Sequence, residues 1–300
     1  MITNRSFFDQ TWADVNSPTK EELDSLTLSE NLDPIIARDL LIPTPKQQAK
    51  EFGDSLYVVL HVPFFNHSRM ENSEQEIDFV ISEKKLITVR YDSIDALHHF
   101  SKQIEVAEIL NKEHHPHLFF GLAEEIYKFL FDEIEYMEDQ IKEIETKTFS
   151  GLEKEMVWSI SYVARNLLLI KRTVGAHETV WENLEKNGEK LFGAKFAKDA
   201  KRLFEEWKRL MATTKNMTDG LEEIRQTNNS LLTTKQNEVM QVFTIMAFVT
   251  FPLSLIAGIF GMNTTSMPIV GALNDFWIIV GIMLAISIAM FFYFKYKKWI

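Results

Sequence analysis

The chain has 300 residues, a formal net charge of −11 and no cysteine. Without cysteine it can form no disulfide, thiol nucleophile or cysteine-ligated zinc site. Its acidic balance argues against general nucleic-acid binding, which needs a basic surface. The sequence shows neither a glycine-rich phosphate loop nor a nucleophile that can be tied to a base, so we do not expect an enzyme.

Residues 54–92 carry the signals of β-strands. The run SLYVVLHVPFF is rich in β-branched and aromatic residues, and two further runs, IDFVIS and LITVRYD, flank Glu83, Lys84 and Lys85. Two apolar runs separated by so short a polar connection predict a β-hairpin.

From Ile94 onward the pattern becomes helical. Residues 118–149 form one amphipathic segment and residues 152–186 a second, with a break at Ser150 and Gly151, which predicts an antiparallel pair of helices. We interpret the acidic side chains of the first helix as a solvated face. They are Asp132, Glu133, Glu135, Glu138, Asp139, Glu143 and Glu145.

Two groups of histidines, at residues 98–99 and 114–117, lack the spacing of a known zinc motif. We expect them to be loop or surface residues.

The third helical segment carries apolar residues at a heptad spacing for about four heptads. The positions are Leu203, Trp207, Leu210, Thr214, Met217, Leu221, Ile224, Asn228 and Leu231. Such a seam forms either when an amphipathic helix packs on its own domain or when it pairs with other copies of the chain. No proline lies between Lys201 and Phe251, so this helix can continue without a break into the apolar run that follows.

Residues 239–260 and 276–294 contain no charged side chain. Each run is close to the ~20 residues that cross a bilayer core, so together they predict a helical hairpin in the membrane. Trp277 begins the second run and Tyr293, Tyr296 and Trp299 end it, as aromatic side chains do at a membrane interface. The alternative, a pair of buried core helices in a soluble protein, fits these flanks poorly.

The distribution of lysine predicts the orientation of the hairpin. Lys235 precedes the first run and Lys295, Lys297 and Lys298 follow the second, whereas the loop between the runs has no Lys or Arg. By the positive-inside rule both ends lie in the cytosol and the loop lies outside, in an inner or plasma membrane.

Small and polar residues of the first run lie on one helical face, at Thr244, Ala247, Ser254 and Gly258, and the same face carries Phe251, Met240 and Asn237. Within a membrane such a face either packs against another helix or lines a pore. Since two helices per chain cannot enclose a water-filled path alone, we expect a homo-oligomer with the long helix near its axis.

The loop begins with Gly261, Met262 and Asn263, none of which is charged. Mg²⁺ releases its waters reluctantly and is often bound with several still attached. A ring of neutral oxygens, from the Asn263 amide and the Gly261 carbonyl, could accept hydrogen bonds from those waters without holding the ion too tightly to leave. The absence of charge therefore favours an ion filter.

These residues resemble the CorA-type magnesium transporters. The resemblance is carried by GMN between two C-terminal spans, by the following Met267 and Pro268, and by several flanking segments. The flanking segments are QNEVM (236–240), PL (252–253), IAGI (256–259) and YFKYKKW (293–299). The close match covers residues 236–300, and the order of the elements upstream is similar to the order found in this family.

The resemblance implies an α+β cytosolic domain with a long stalk helix, a two-helix transmembrane domain and a funnel-shaped homopentamer. The implied domains are residues 1–197, a stalk at 198–238 and a transmembrane domain at 239–300. Within the last, the spans are 239–260 and 276–294, the loop is 261–275 and the basic tail is 295–300. The first spans would line the pore, with Asn237, Met240, Phe251 and Ser254 facing it, besides Thr244 and Gly258 of the same face.

Two features depart from the family. Thr264, Thr265 and Ser266 follow GMN where many relatives have acidic residues, so that Asp275 is the only nearby carboxylate. Gln226 occupies the upper stalk where an acidic residue is expected. The family closes when cytosolic Mg²⁺ occupies acidic sites between soluble domains, and Asp95 and Asp199 are the candidates here.

The sequence thus predicts an Mg²⁺ influx channel, driven by the membrane potential, in which Mg²⁺ is both substrate and regulator. The expected partners are other copies of the chain, membrane lipid and divalent cations, but not nucleic acid. Two alternatives remain open at this point. The same fold could carry cobalt, nickel or zinc, or the hairpin could only tether a coiled-coil scaffold to the membrane.

Overall fold

We describe the chain from a computed structural model that covers residues 2–7, 10–67, 71–92, 94–109, 117–263, 267–271 and 274–299, without the side chains of Asp95 and residues 106–109. The chain forms two compact units, Met1–Arg225 and Gln226–Ile300.

The first unit is built on a six-stranded sheet in the order β1-β2-β6-β5-β4-β3. Strands β2 and β6 run parallel and every other neighbouring pair runs antiparallel. The strands are β1 (Ile2–Phe7), β2 (Gln10–Asn16), β3 (Gln48–Phe52), β4 (Ser55–Asn66), β5 (Glu71–Ser82) and β6 (Lys85–Arg90).

Helices cover both faces of this sheet because its central strands are apolar on both sides. On β4, Tyr57 and Val59 pack with α1 (Lys20–Glu30) and α2 (Pro34–Asp39), while Val58 and Leu60 belong to the larger core on the opposite face. That larger core also contains residues of α3 (Asp95–Ile109), α4 (Leu118–Phe149), α5 (Glu153–Gly175), α6 (His177–Phe192) and the first part of α7 (Ala194–Phe260). The predicted α+β class is confirmed.

Two local predictions are confirmed and one is wrong. Strands β5 and β6 form the predicted hairpin, and α4 has the predicted bounds. The second helical segment is two helices rather than one, because α5 ends at Gly175 and α6 begins at His177. The His177 ring is fully buried, with Nδ1 2.9 Å from the Tyr127 hydroxyl and Nε2 2.8 Å from the His61 carbonyl oxygen. These tertiary contacts lie at the break, and the helical periodicity alone does not show them.

Sequence reasoning did not find the elements that precede residue 54, namely β1, β2, α1, α2 and β3. It expected His117 to be a loop or surface residue; His117 does lie just before α4, but it is not at the surface. His117 is buried at the N-cap of α4, where Nδ1 accepts a hydrogen bond from the Phe119 amide and Nε2 lies 2.9 Å from the Ser82 carbonyl oxygen. Burial lowers the pKa of His117. His98 and His99 are exposed as expected, and His114 and His115 lie outside the described residues.

The heptad seam of α7 is used within the chain along the first unit. Leu203, Trp207, Leu210 and Leu221 are buried in the larger core, and Met217 and Ile224 pack against it. The Trp207 indole donates a hydrogen bond to the Val174 carbonyl at 2.8 Å. Up to Ile224, therefore, the apolar stripe packs on its own domain, which is the first of the two interpretations the sequence left open.

The second unit contains the rest of α7, to Phe260, and α8 (Asp275–Tyr296). Each of these two helices holds an apolar stretch long enough to span a membrane, and neither stretch is buried inside the protein. The two helices contact one another through Phe248 and Phe294, whose ring centroids lie 6.5 Å apart. Gln241 Nε2 donates a hydrogen bond to the Trp299 carbonyl at 2.8 Å.

Candidate ion path

The loop residues predicted to form an ion filter lie at the C-terminal end of α7. The Gly261 amide donates a hydrogen bond to the Ala257 carbonyl at 2.9 Å, and the Met262 amide donates one to the Ile259 carbonyl at 3.2 Å. The first bond continues the α-helical pattern, and the second, between residues three apart, tightens the last turn, as is common at helix ends. A Cβ atom at position 261 would lie 3.0 Å from the Ala257 carbonyl oxygen, which is a crowded distance, so the turn favours glycine.

All three residues of this tripeptide are exposed in the single chain. No charged side chain is among them, so what the tripeptide offers is the Asn263 amide and its backbone carbonyl oxygens. Both are neutral acceptors, suited to the hydrogens of a metal's bound waters. The residues that follow, Thr264, Thr265 and Ser266, lie outside the described part of the chain.

The six residues predicted to line a pore all lie on α7. Five of them are exposed in the single chain, and Thr244 is partly exposed. The five are Asn237, Met240, Phe251, Ser254 and Gly258. The Thr244 hydroxyl donates to the Met240 carbonyl at 2.8 Å, so only the oxygen lone pairs remain for another partner. Phe251 is a large apolar side chain that is 72% exposed among the described residues.

Asp275, the carboxylate nearest to the filter in sequence, is bound to the backbone. Oδ2 accepts from the Gly271 amide at 3.0 Å and Oδ1 from the Phe276 amide at 2.7 Å. A carboxylate at the first turn of a helix satisfies amides that lack a partner inside the helix and interacts favourably with its dipole. Both oxygens therefore have a structural role at the start of α8.

The structure places the two candidate regulatory carboxylates differently. Asp95 is the first residue of α3, but its side chain lies outside the described residues. Asp199 lies on α7, with Oδ1 3.9 Å from Arg202 Nη2, and Arg202 also pairs with Glu124. Among the described residues, no three His, Asp or Glu side chains converge to hold a metal ion.

The acidic residues of α4 are mostly a solvated face. Lys142 pairs with Glu138 at 3.0 Å and with Asp139 at 3.2 Å. Glu133 is the exception. Its side chain is only 12% exposed and lies 3.0 Å from His67 Nε2, and burial raises its pKa.

A buried polar cluster that the sequence did not reveal lies where β4 pairs with β5. His61 Nδ1 lies 2.6 Å from Glu74 Oε1, and Nε2 lies 2.9 Å from the Thr44 carbonyl oxygen and 3.3 Å from Glu76 Oε2. Both ring nitrogens thus face acceptors, which is the environment of a doubly protonated imidazolium. The first half of β5, residues 71–76, is polar throughout, so no apolar alternation marks Glu74 and Glu76 as buried partners of a histidine.

The electrostatics of this cluster follow from its geometry. Burial opposes the charge of His61, but hydrogen bonds to Glu76 and Glu74 outweigh it and raise the pKa of His61 to about 9. Burial likewise opposes the charge of Glu74, yet its hydrogen bonds with His61 and Thr173 leave the pKa of Glu74 lowered. At neutral pH the cluster therefore holds a protonated His61 beside an ionised Glu74.

Next to this cluster, Asp78 is fully buried. The Tyr91 hydroxyl lies 3.2 Å from Asp78 Oδ2 and 3.1 Å from the Leu40 carbonyl oxygen, and its single proton is shared between these two acceptors. Burial, reinforced by the nearby charge of Glu76, raises the pKa of Asp78 well above its ordinary value.

Comparison with known proteins assigns this arrangement to a class. A sequence model of the family described as "CorA-like Mg2+ transporter protein" matches residues 9–297. The cobalt/magnesium transport protein CorA of Thermotoga maritima is 23% identical over 89% of this chain and 76% of the relative. The relative of the same name from Methanocaldococcus jannaschii is 22% identical over 96% of this chain and 91% of the relative.

The fold agrees with this assignment. The complete structure of the CorA magnesium transporter from Methanocaldococcus jannaschii superposes with a TM-score of 0.84 at 19% identity, covering 99% of this chain and 94% of that one. The two apolar helices and the mixed sheet therefore belong to a membrane transport protein for divalent cations. The chain is a member of the CorA-like Mg²⁺ transporter family, whose members are transporters and not enzymes.

Proposed function

We propose that this protein is an Mg²⁺ influx channel whose filter is formed by Gly261, Met262 and Asn263. The observation that carries the proposal is the exposed, uncharged tripeptide at the end of α7, between two helices long enough to span a membrane. A ring of Asn263 amides accepts hydrogen bonds from the waters of a hydrated Mg²⁺, which keeps several of its waters when bound. Because the ring is neutral, the ion can also leave it.

A conducting path needs more than one chain, since two membrane helices cannot enclose water alone. We propose a homopentamer in which five copies of the membrane part of α7 surround the axis. The exposure of five of the six pore-face residues in the single chain supports this arrangement. In it, Met240 and Phe251 form apolar constrictions that close the path by excluding water.

The orientation follows from the lysines that flank the membrane helices. By the positive-inside rule, the three lysines of the tail and Lys235 support an orientation with both termini in the cytosol and the filter outside. A divalent cation entering a cell with an inside-negative potential then gains about 4.6 kcal/mol at 100 mV, twice the value for one charge. The membrane potential therefore favours influx.

We further propose that cytosolic Mg²⁺ closes the channel by binding to acidic residues of the first unit. The candidates are Asp95, the first residue of α3, and Asp199, which is partly exposed on α7. In the proposed pentamer, ligands from a neighbouring subunit would complete this site. Binding of Mg²⁺ to this site would then depend on how the subunits are arranged, so Mg²⁺ would stabilise one arrangement, the closed one, over the other.

Cobalt is the alternative cargo on the same filter, because the relative from Thermotoga maritima is named a cobalt/magnesium transport protein. Nickel and zinc remain possible cargoes on chemical grounds, since they are also divalent. The scaffold interpretation is not retained, because the family is one of transporters.

The proposal is tested by ion flux into proteoliposomes under an inside-negative potential. We expect Mg²⁺ influx with the wild type, loss of influx in Asn263→Ala, and unchanged influx in the control Asn216→Ala, an exposed asparagine on α7 in the first unit. Competition with Co²⁺, Ni²⁺ and Zn²⁺ identifies the preferred cargo. Influx that persists at the wild-type rate in Asn263→Ala would refute the filter, and a faster flux of Co²⁺ than of Mg²⁺ would favour the alternative.

A further inference from the structure

An apolar groove of about 530 Å³ lies between α7 and α8 inside the second unit. This volume falls within the range of about 300–1,000 Å³ that is typical of sites for small ligands. Its apolar lining includes Phe248 of α7 and Ile286, Ala289, Met290, Phe294 and Trp299 of α8 and the tail. Among the described residues that line it, Lys297 is the one with a charged side chain.

The end of α8 gives the groove its shape. The Lys298 amide donates to the Lys295 carbonyl at 3.1 Å and the Trp299 amide donates to the Phe294 carbonyl at 3.0 Å. This is the hydrogen-bond pattern of a Schellman motif, and Lys298 occupies its left-handed position with φ 56°. The chain therefore turns back, and Trp299 stacks on Phe294 with ring centroids 5.8 Å apart.

The charge beside the groove is positive. Lys295, Lys297 and Lys298 are exposed, and no ion pair joins them to an acidic side chain of the described residues. Glycine is the residue favoured at the left-handed position of this motif, yet the chain has a lysine there. The groove thus combines an apolar wall, a tryptophan suited to the membrane interface and unpaired positive charge at one end.

From this combination we propose that the groove binds an anionic phospholipid of the leaflet in which α8 ends. An acyl chain lies along Phe248 and the apolar face of α8, and the phosphate is held by Lys297. Basic pockets between membrane helices are suited to anionic headgroups. The proposal does not depend on which ion the protein carries, and a neutral lipid or a second copy of the chain would be different occupants.

Titration of the full-length protein in detergent, followed by native mass spectrometry, tests the proposal. The probes are dioleoyl phosphatidylglycerol and dioleoyl phosphatidylcholine. We expect phosphatidylglycerol to bind at least fivefold more tightly, and Lys297→Ala to remove about a fivefold preference, which is the effect of one lysine near an anionic surface. Lys295→Ala removes the same charge from the same tail but does not line the groove, so it should keep most of the preference.

A second pair of variants tests the apolar wall. Ala289→Trp fills the groove and should weaken binding of both lipids, whereas Ala285→Trp, on the same helix but not lining the groove, should not. Equal binding of the two lipids to the wild type would overturn the proposal. Equal losses of preference in the two lysine variants would also overturn it, because they would indicate general attraction to the charged surface. Lipid that binds only to monomers would overturn it as well, because a second copy of the chain would then cover the groove. Because Lys297 is exposed and lies in the tail, its variant tests the proposal even if Ala289→Trp does not fold.

Discussion

The buried imidazolium of His61 gives the first unit a stability that depends on pH. In the folded chain hydrogen bonds to two carboxylates raise the pKa of His61 to about 9, from an ordinary value of 6.5. A raised pKa contributes stability that is fully present below about pH 6.5 and is lost as the pH rises through about 9. The lowered pKa of Glu74 acts at acidic pH, so the alkaline range isolates the histidine.

The size of the effect can be worked out from the structure. At about 1.36 kcal/mol for each unit of pKa, the interval from 6.5 to about 9 corresponds to about 3 kcal/mol. An independent comparison gives a similar value. His61 and Glu76 are 9% and 8% exposed, and removal of one partner from a buried ion pair costs about 3–5 kcal/mol. Glu74 is 33% exposed, so solvent screens part of its share.

We therefore expect His61→Gln to unfold about 6–12 °C below the wild type at pH 6, at about 2–4 °C for each kcal/mol in a domain of this size. The difference should fall towards zero by pH 10, because the wild-type imidazole is then neutral. The measurement is thermal unfolding of the full-length protein in detergent, followed by tryptophan fluorescence between pH 6 and 10. His99→Gln, which replaces an exposed histidine, is the control and should match the wild type. A difference that is equally large at pH 6 and pH 10 would refute the reasoning, since the contribution would then not come from the charge.

The glycines supply two further predictions. Gly188→Ala should destabilise the first unit by about 1–3 kcal/mol, because the new Cβ atom would lie 2.3 Å from a phenylalanine ring. Gly220 has open space around it, so Gly220→Ala should stabilise α7 by about 0.5–1 kcal/mol. Thermal unfolding of both variants measures the change in the free energy of unfolding, which should be opposite in sign for the two. A Gly188→Ala variant more stable than the wild type would contradict the packing described. In the filter, Gly261→Ala should reduce Mg²⁺ influx because the Ala257 carbonyl is crowded, whereas the control Gly281→Ala on α8 should conduct normally. The measurement is the rate of Mg²⁺ influx into proteoliposomes. Equal influx rates in the two variants would show that the turn at position 261 tolerates a side chain.

The sequence determined much of the second unit. The length of an apolar run and the composition of its flanks are local properties, and the requirement that backbone polar groups be satisfied within a bilayer leaves few structures for such a run. The two apolar helices, with GMN between them, were therefore predictable. The roles of Asn263 and of the residues on the pore face remain predictions, because one chain does not show what surrounds them.

The tertiary structure decided how the polar and apolar patterns of the first unit are used. The heptad seam has the same period whether it faces its own domain or another copy, and only the packing of Leu203 and Leu210 in the larger core distinguishes the two. The break between α5 and α6 lies where His177 contacts residues far away in sequence. His61 acquires its charge because strand pairing brings it beside Glu76. The periodicity of a sequence shows which face of a helix or strand is apolar. What packs against that face depends on contacts between residues that are far apart in the chain.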